Sequence, residues 1–181
     1  MKRFNTIGVV AALMLFVACS GGNGNSEKER AEQTSDNHAA KFALEFAVRD
    51  LSGRELRSEE LAGNVVVVDF WATWCQPCLR EIPEYNKLYE KYRDRNVRML
   101  GITLDSGDAT EVEPYVEKYK IAYPIFMGND EIVSVFGGIQ FYPTTFVLDQ
   151  KGNVVKKYIG GKPGKIHEID QIIEDLLNAQ G

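Results

Sequence analysis

The stretch Val65-Val66-Val67-Val68-Asp69-Phe70 is an almost unbroken run of β-branched residues. A short distance on, through Cys75-Gln76-Pro77-Cys78, the pattern changes to helical spacing. A run of that kind reads as a short strand buried on both faces, as in the interior of a parallel sheet. Downstream, Ile82, Tyr85, Tyr89 and Tyr92 recur three and four apart, with Glu84, Lys87, Glu90 and Lys91 between them, which is a helix with one apolar face. A buried strand feeding such a helix commits the chain to an α/β architecture. It also sets Cys75 at or just before the helix N-terminus, where free N–H groups and the helix dipole favour a thiolate over a thiol. In that setting a cysteine pKa falls from ~8.5 into a range of roughly 3.5–7.5. Cys78 follows one turn later on the same face, so the two sulfurs can close a disulfide. The pair reads as a redox switch.

Two other uses of a Cys-x-x-Cys fit less well. Structural zinc needs four Cys or His ligands, and this chain adds only Cys19, His38 and His167, in unrelated settings. No metal and no cofactor beyond the cysteine pair is expected. A permanent structural disulfide across so small a loop removes little chain entropy.

The 181 residues carry a formal charge of −5, with 44% hydrophobic and 26% charged residues, as in a soluble globular protein. The acidic balance and the lack of a basic stripe exclude nucleic acid as a partner. Residues 1–18 read as an export signal: Lys2 and Arg3 precede the apolar run Ile7 to Ala18, shorter than the ~20 residues of a spanning helix. Leu15-Phe16-Val17-Ala18-Cys19 resembles a bacterial lipobox, with Phe16 where Leu is usual, so Cys19 is the expected lipidation site. Residues 19–41, rich in Gly, Asn, Ser and charge, are expected to form a flexible tether from that lipidated cysteine, reaching ~25 Å. The protein is thus expected outside the cytoplasm, anchored at the inner or outer membrane.

Residues 42–181 form the folded part. Phe42, Leu44, Phe46 and Val48 alternate with more polar positions, predicting a strand with one buried face; Glu55 to Arg57 is a short partner after a turn. Ser58-Glu59-Glu60-Leu61 predicts a capped helical turn. After the cysteine helix, with Pro83 inside it, come a strand over 97–104, an amphipathic helix over 109–120, a short strand at 124–126 and a short helix at 130–136. A hairpin over 144–149 and 153–159 precedes a final helix faced by Ile166, Ile169, Ile172, Ile173, Leu176 and Leu177. The order is β-β-α-β-α-β-α-β-β-α, a mixed sheet with helices on both faces.

Trp74-Cys75-x-Pro77-Cys78 after a hydrophobic strand resembles the thioredoxin superfamily, and the likeness runs over about residues 42–178. Asp69-Phe70-Trp71-Ala72-Thr73 is similar to its approach to the active site. Pro83 is similar to its helix proline, and Tyr142-Pro143-Thr144 to the segment carrying a cis-proline opposite the cysteines. Gly160-Gly161 falls where the family has a glycine near the substrate groove. The N-terminal strand extension, the inserted helix over 109–120 and Glu81-Ile82-Pro83 look most like the TlpA/ResA branch, membrane-tethered extracytoplasmic thiol–disulfide oxidoreductases.

The resemblance implies roles. Cys75 is the exposed nucleophile and Cys78 resolves the mixed disulfide. Pro77 stiffens the turn, Gln76 tunes potential and contacts, and Trp74 shields the thiolate. A cis-Pro143 presents the Tyr142 backbone to a substrate peptide. Asp69 and Glu81 both match acids that handle the Cys78 proton, Asp69 being the expected main acceptor.

The implied activity is reduction of protein disulfides outside the cytoplasm, apocytochrome c among the substrates, with a membrane thiol donor recharging the pair. Thr144 stands where a cytochrome-maturation signature has Glu after the proline. Three readings compete. A disulfide-forming oxidase runs the same chemistry backwards, but its Cys-Pro-His-Cys histidine is absent. A thiol peroxidase lacks its lone-cysteine loop here, and a copper-binding chaperone module has a longer Cys spacing and a differently placed histidine.

Overall fold

A computed structural model describes residues 42–179; the expected leader, Cys19 and the tether over residues 19–41 lie outside the described residues. The strands are β1 (Ala47–Asp50), β2 (Glu55–Arg57), β3 (Val65–Trp71), β4 (Val97–Thr103), β5 (Ile125–Met127), β6 (Thr144–Leu148) and β7 (Val154–Ile159). The helices are α1 (Gln76–Tyr92), α2 (Ala109–Tyr119), α3 (Asp130–Val135) and α4 (Lys165–Asn178), with a 3-10 turn at Ser58–Leu61. All seven strands form one sheet in the order β2-β1-β5-β4-β3-β6-β7. β3 runs parallel to β4 and antiparallel to β6, so the sheet is mixed. The elements fall on the predicted segments, but the order is β-β-β-α-β-α-β-α-β-β-α: the strand Val65–Trp71 makes a seventh where the predicted order counts six.

Every residue of β3 is buried, as expected of an interior strand with helices on both sides. Alternation divides it. Val65, Val67 and Trp71 join the layer that holds Leu79, Ile82 and Tyr85 of α1 and Ile169 and Ile173 of α4. Val66, Val68 and Phe70 join the opposite layer, where Phe70, Phe136 and Phe146 pack with ring centroids 4.7–5.9 Å apart. Asp69 shares the parity of Val67 and Trp71 and so faces α1 and α4, a carboxyl in an apolar layer. The two helices are locked together at their far ends. The Tyr92 hydroxyl reaches Asp170 Oδ1 (2.6 Å) and Glu174 Oε1 (2.8 Å), and Lys91 Nζ lies 2.6 Å from Asp170 Oδ1.

The structure corrects one expectation at the N-terminal edge of the sheet. The strand predicted from Phe42 begins only at Ala47. Phe42, Phe46 and Val48 are buried as the alternation requires, but the backbone before Ala47 bonds elsewhere: Ala43 N–H donates to the Lys151 carbonyl (2.7 Å) and Phe46 N–H to Ser58 Oγ (3.2 Å). That close approach fixes Gly152, which has φ +83°. A Cβ there would lie 2.8 Å from Ala43 N. The 3-10 turn is capped, as predicted: Arg57 stands at its N-cap and Glu60 Oε1 accepts from Arg57 N–H (2.9 Å).

Candidate active site

Cys75 is the N-cap of α1, with extended backbone (φ −80°, ψ 96°), and Pro77 falls in the first turn, where its missing N–H costs nothing. The Cys75 carbonyl accepts Leu79 N–H (3.1 Å) and its sulfur accepts Cys78 N–H (3.3 Å). One turn of helix brings the two Cα atoms 5.3 Å apart, and the sulfurs are joined as a disulfide. The Cys78 N–H and the positive end of α1 therefore point at the Cys75 sulfur, the arrangement that stabilises a thiolate once the bond is reduced. The expected exposed nucleophile is covered in this oxidised form: Cys75 is only 3% exposed, as is Cys78. Gln76 is exposed and Pro77 half-buried.

Beside the disulfide, Trp74 is 59% exposed, yet its indole is held in place. Its Nε1–H donates to the Asp105 carbonyl (2.9 Å), and its ring meets that of Tyr142 edge-on at 5.6 Å. Tyr142 in turn donates its hydroxyl to Asp105 Oδ2 (2.7 Å). That bond and burial push the Tyr142 phenol upward. Tyr142–Pro143 is a cis peptide, with Pro143 buried and its carbonyl accepting Gly160 N–H (2.8 Å). Phe141, just before, is 60% exposed. Asp105 and Phe141 were not singled out by sequence reasoning. The available signal was position, since Asp105 opens the loop at the C-terminal end of a parallel strand, where α/β sheets gather their sites.

Behind the cysteines lies a polar cluster in an otherwise apolar layer. Asp69 is buried, and its Oδ1 accepts from Thr145 Oγ1 (2.7 Å) and from the Tyr85 hydroxyl (3.3 Å). Burial raises the Asp69 carboxyl above its ordinary range, opposed by the Lys165 charge and those two hydrogen bonds. Glu81 lies one turn beyond Cys78 with its side chain mostly covered. Burial raises it too, opposed by its hydrogen bond from Lys165. Lys165, the first residue of α4, is buried, with Nζ 2.7 Å from Glu81 Oε2. Sequence reasoning found both acids and missed the lysine between them. A lysine at a helix start after glycine reads as solvated, and nothing local marks it otherwise. Gly161 stands against Glu81, where a Cβ would come 3.4 Å from Oε1. His167, the nearest histidine in sequence, is exposed on α4.

A helix-capping cysteine disulfide and a cis Tyr142–Pro143 peptide on this mixed sheet define a thioredoxin-fold protein of thiol–disulfide chemistry. More narrowly, the chain belongs to the AhpC/TSA family, whose model matches residues 37–157. It is similar to thiol-disulfide oxidoreductase ResA of Geobacillus thermodenitrificans (strain NG80-2), with 36% identity over 134 residues covering 74% of this chain and 75% of that protein. The protein of the same name from Bacillus thuringiensis (strain Al Hakam) is 34% identical over 120 residues, 66% of this chain and 69% of its own. Among solved structures, a thiol:disulfide interchange protein of the thioredoxin family from Chlorobium tepidum TLS matches with a TM-score of 0.67 and 30% identity, over 76% of this chain and 97% of that one.

Proposed function

We propose that the chain is an extracytoplasmic thiol–disulfide oxidoreductase working as a reductase of protein disulfides. The observation that carries this is the Cys75–Cys78 disulfide capping α1. In the reduced protein the Cys75 thiolate attacks one sulfur of a substrate disulfide. A mixed disulfide forms and the other substrate sulfur leaves as a thiolate. Cys78 gives up its proton and attacks Cys75 Sγ; the substrate's second thiolate departs and the Cys75–Cys78 bond closes. Two electrons have passed to the substrate, and a membrane thiol donor returns them. Asp69 and Glu81 receive the Cys78 proton.

Trp74 and Tyr142, tied to Asp105, form the rim on which a substrate segment lies, with Gln76 and Pro77 on the helix side. The Tyr142 backbone pairs with that segment as an added strand. Gln76 supports the reducing direction, since it offers no second positive charge to the thiolate, as the histidine of an oxidase would. Substrates are disulfide-bearing proteins outside the cytoplasm, apocytochrome c among them. Cys19 anchors the head by lipid; among the described residues no helix is long and apolar enough to cross a membrane.

Trapping tests the reading. A Cys78→Ser variant should accumulate mixed disulfides through Cys75, released by dithiothreitol and absent when Cys75 is also replaced. A variant that captures no partner, or captures it equally without Cys75, contradicts the assignment.

A further inference from the structure

Lys165 is a charged side chain with no access to water. Lysines ordinarily bury the stem and keep the ammonium solvated, and an ammonium in the core is tolerated only where it is paired. The Lys165 side chain is 0% exposed and its three donors face a small set of groups. Nζ donates to Glu81 Oε2 (2.7 Å) and to Thr145 Oγ1 (3.2 Å), and lies 5.4 Å from the centre of the Tyr85 ring.

The Thr145 hydroxyl is saturated. Its one hydrogen goes to Asp69 Oδ1 (2.7 Å), one lone pair takes Lys165, and the Tyr85 hydroxyl lies 3.0 Å away, its single hydrogen shared between Thr145 Oγ1 and Asp69 Oδ1. The ammonium therefore touches Glu81 directly and Asp69 through a single hydroxyl. These contacts come from four elements: β3 gives Asp69, α1 gives Glu81 and Tyr85, β6 gives Thr145, and α4 gives the lysine. Tyr123, ahead of β5, meets the Tyr85 ring at 6.0 Å and completes the titratable groups of the core side. On the solvent side Glu81 borders a groove of about 320 Å³ lined by Pro77, Arg80, Glu84, Gly161 and Lys162.

We propose that Lys165 is a positioning residue that couples Asp69 and Glu81 into one proton-handling unit behind Cys78, with Asp69 as its core end and Glu81 as its outlet to the groove. The inference rests on the oxidoreductase reading above. When Cys78 is deprotonated to attack Cys75, its proton passes to this pair of carboxyls and leaves from Glu81 to water in the groove. Lys165 positions the two acids and takes no part in the transfer itself. Burial raises both acids, and the Lys165 charge works against it, favouring their ionised forms. The two acids titrate as a pair, not as independent sites.

Lys165→Met keeps the length of the side chain and removes the charge. The acid limb of the pH–rate profile for reduction of a model disulfide, measured on the reduced protein, should move up by about one pH unit. That is about a tenfold loss of rate on the limb, with the alkaline plateau held. Lys165→Arg should restore much of the shift. A profile that superimposes on wild type, whether or not the variant melts lower, overturns the proposal and makes Lys165 structural only. Should Lys165→Met fail to fold, Thr145→Val removes only the hydroxyl bridge. The Asp69 carboxyl, followed by carbon-13 NMR, should then titrate at higher pH than in wild type, and an unchanged titration overturns the coupling. A wild-type protein that reduces no disulfide contradicts the oxidoreductase reading itself, whereas an active wild type with an unmoved variant contradicts only the role of Lys165.

Discussion

At the scale of single residues, the active-site chemistry depends on groups held where their charge is disfavoured. Asp69 is the clearest, a carboxyl inside a layer of Val67, Trp71, Ile82 and Ile169. Burial raises it, so the folded chain holds that proton more tightly than the unfolded chain does. Asp69 therefore supports folding below its ordinary value of ~3.9, and that support is withdrawn as pH rises through the raised value. Asp69→Asn should remove this dependence. In urea unfolding from roughly pH 4 to pH 8, the variant should gain stability over wild type as pH rises. A difference that stays flat across that range contradicts a raised Asp69. The cysteine pair was legible in the sequence because its chemistry is local, a spacing and a helix start, whereas Pro77, Asp69 and Glu81 were singled out through the resemblance to the thioredoxin superfamily. Lys165 was not, because its burial is decided by how α4 docks, and a lysine carries no local sign of that. The cover over Cys75 was hidden for the same reason.

At the scale of elements, α4 does more than close the fold. Ile166, Ile169 and Ile173 bury one face of it, Tyr92 and Lys91 of α1 grip Asp170 at one end, and Lys165 enters the acid cluster at the other. Ile169→Ala should cost about 3 kcal/mol of folding stability, the usual price of a buried methyl-bearing chain replaced by a cavity. A loss under about 1 kcal/mol in urea unfolding contradicts close packing of α4 on the sheet. The segments were readable because periods of two and 3.6 are written locally. The start of β1 was not. Alternation correctly forecast that Phe42 and Phe46 are buried, with Leu44 half-buried between them, but burial and strand pairing parted company there. The backbone bonds of that segment go to Lys151 and to the Ser58 hydroxyl, partners far along the chain.

At the scale of the whole described domain, the sheet divides two tasks. The layer holding Phe70, Phe136 and Phe146 is mainly apolar packing, whereas the layer under α1 and α4 carries the disulfide and the buried acids. Among the described residues Trp74 and Phe141 are the two most exposed of the large apolar side chains, Trp74 next to Cys75 in the chain and Phe141 next to Tyr142, whose ring meets that of Trp74. The proposed function requires the Cys75–Cys78 pair to cycle in the reducing direction. Equilibration against dithiothreitol and glutathione buffers, with the free thiols counted at each point, tests this most directly. The expected result is one reversible two-electron transition at a potential well below the ~−120 mV of a strong disulfide-forming enzyme, abolished in Cys75→Ser. A pair that will not cycle, or that titrates near that oxidising value, contradicts it.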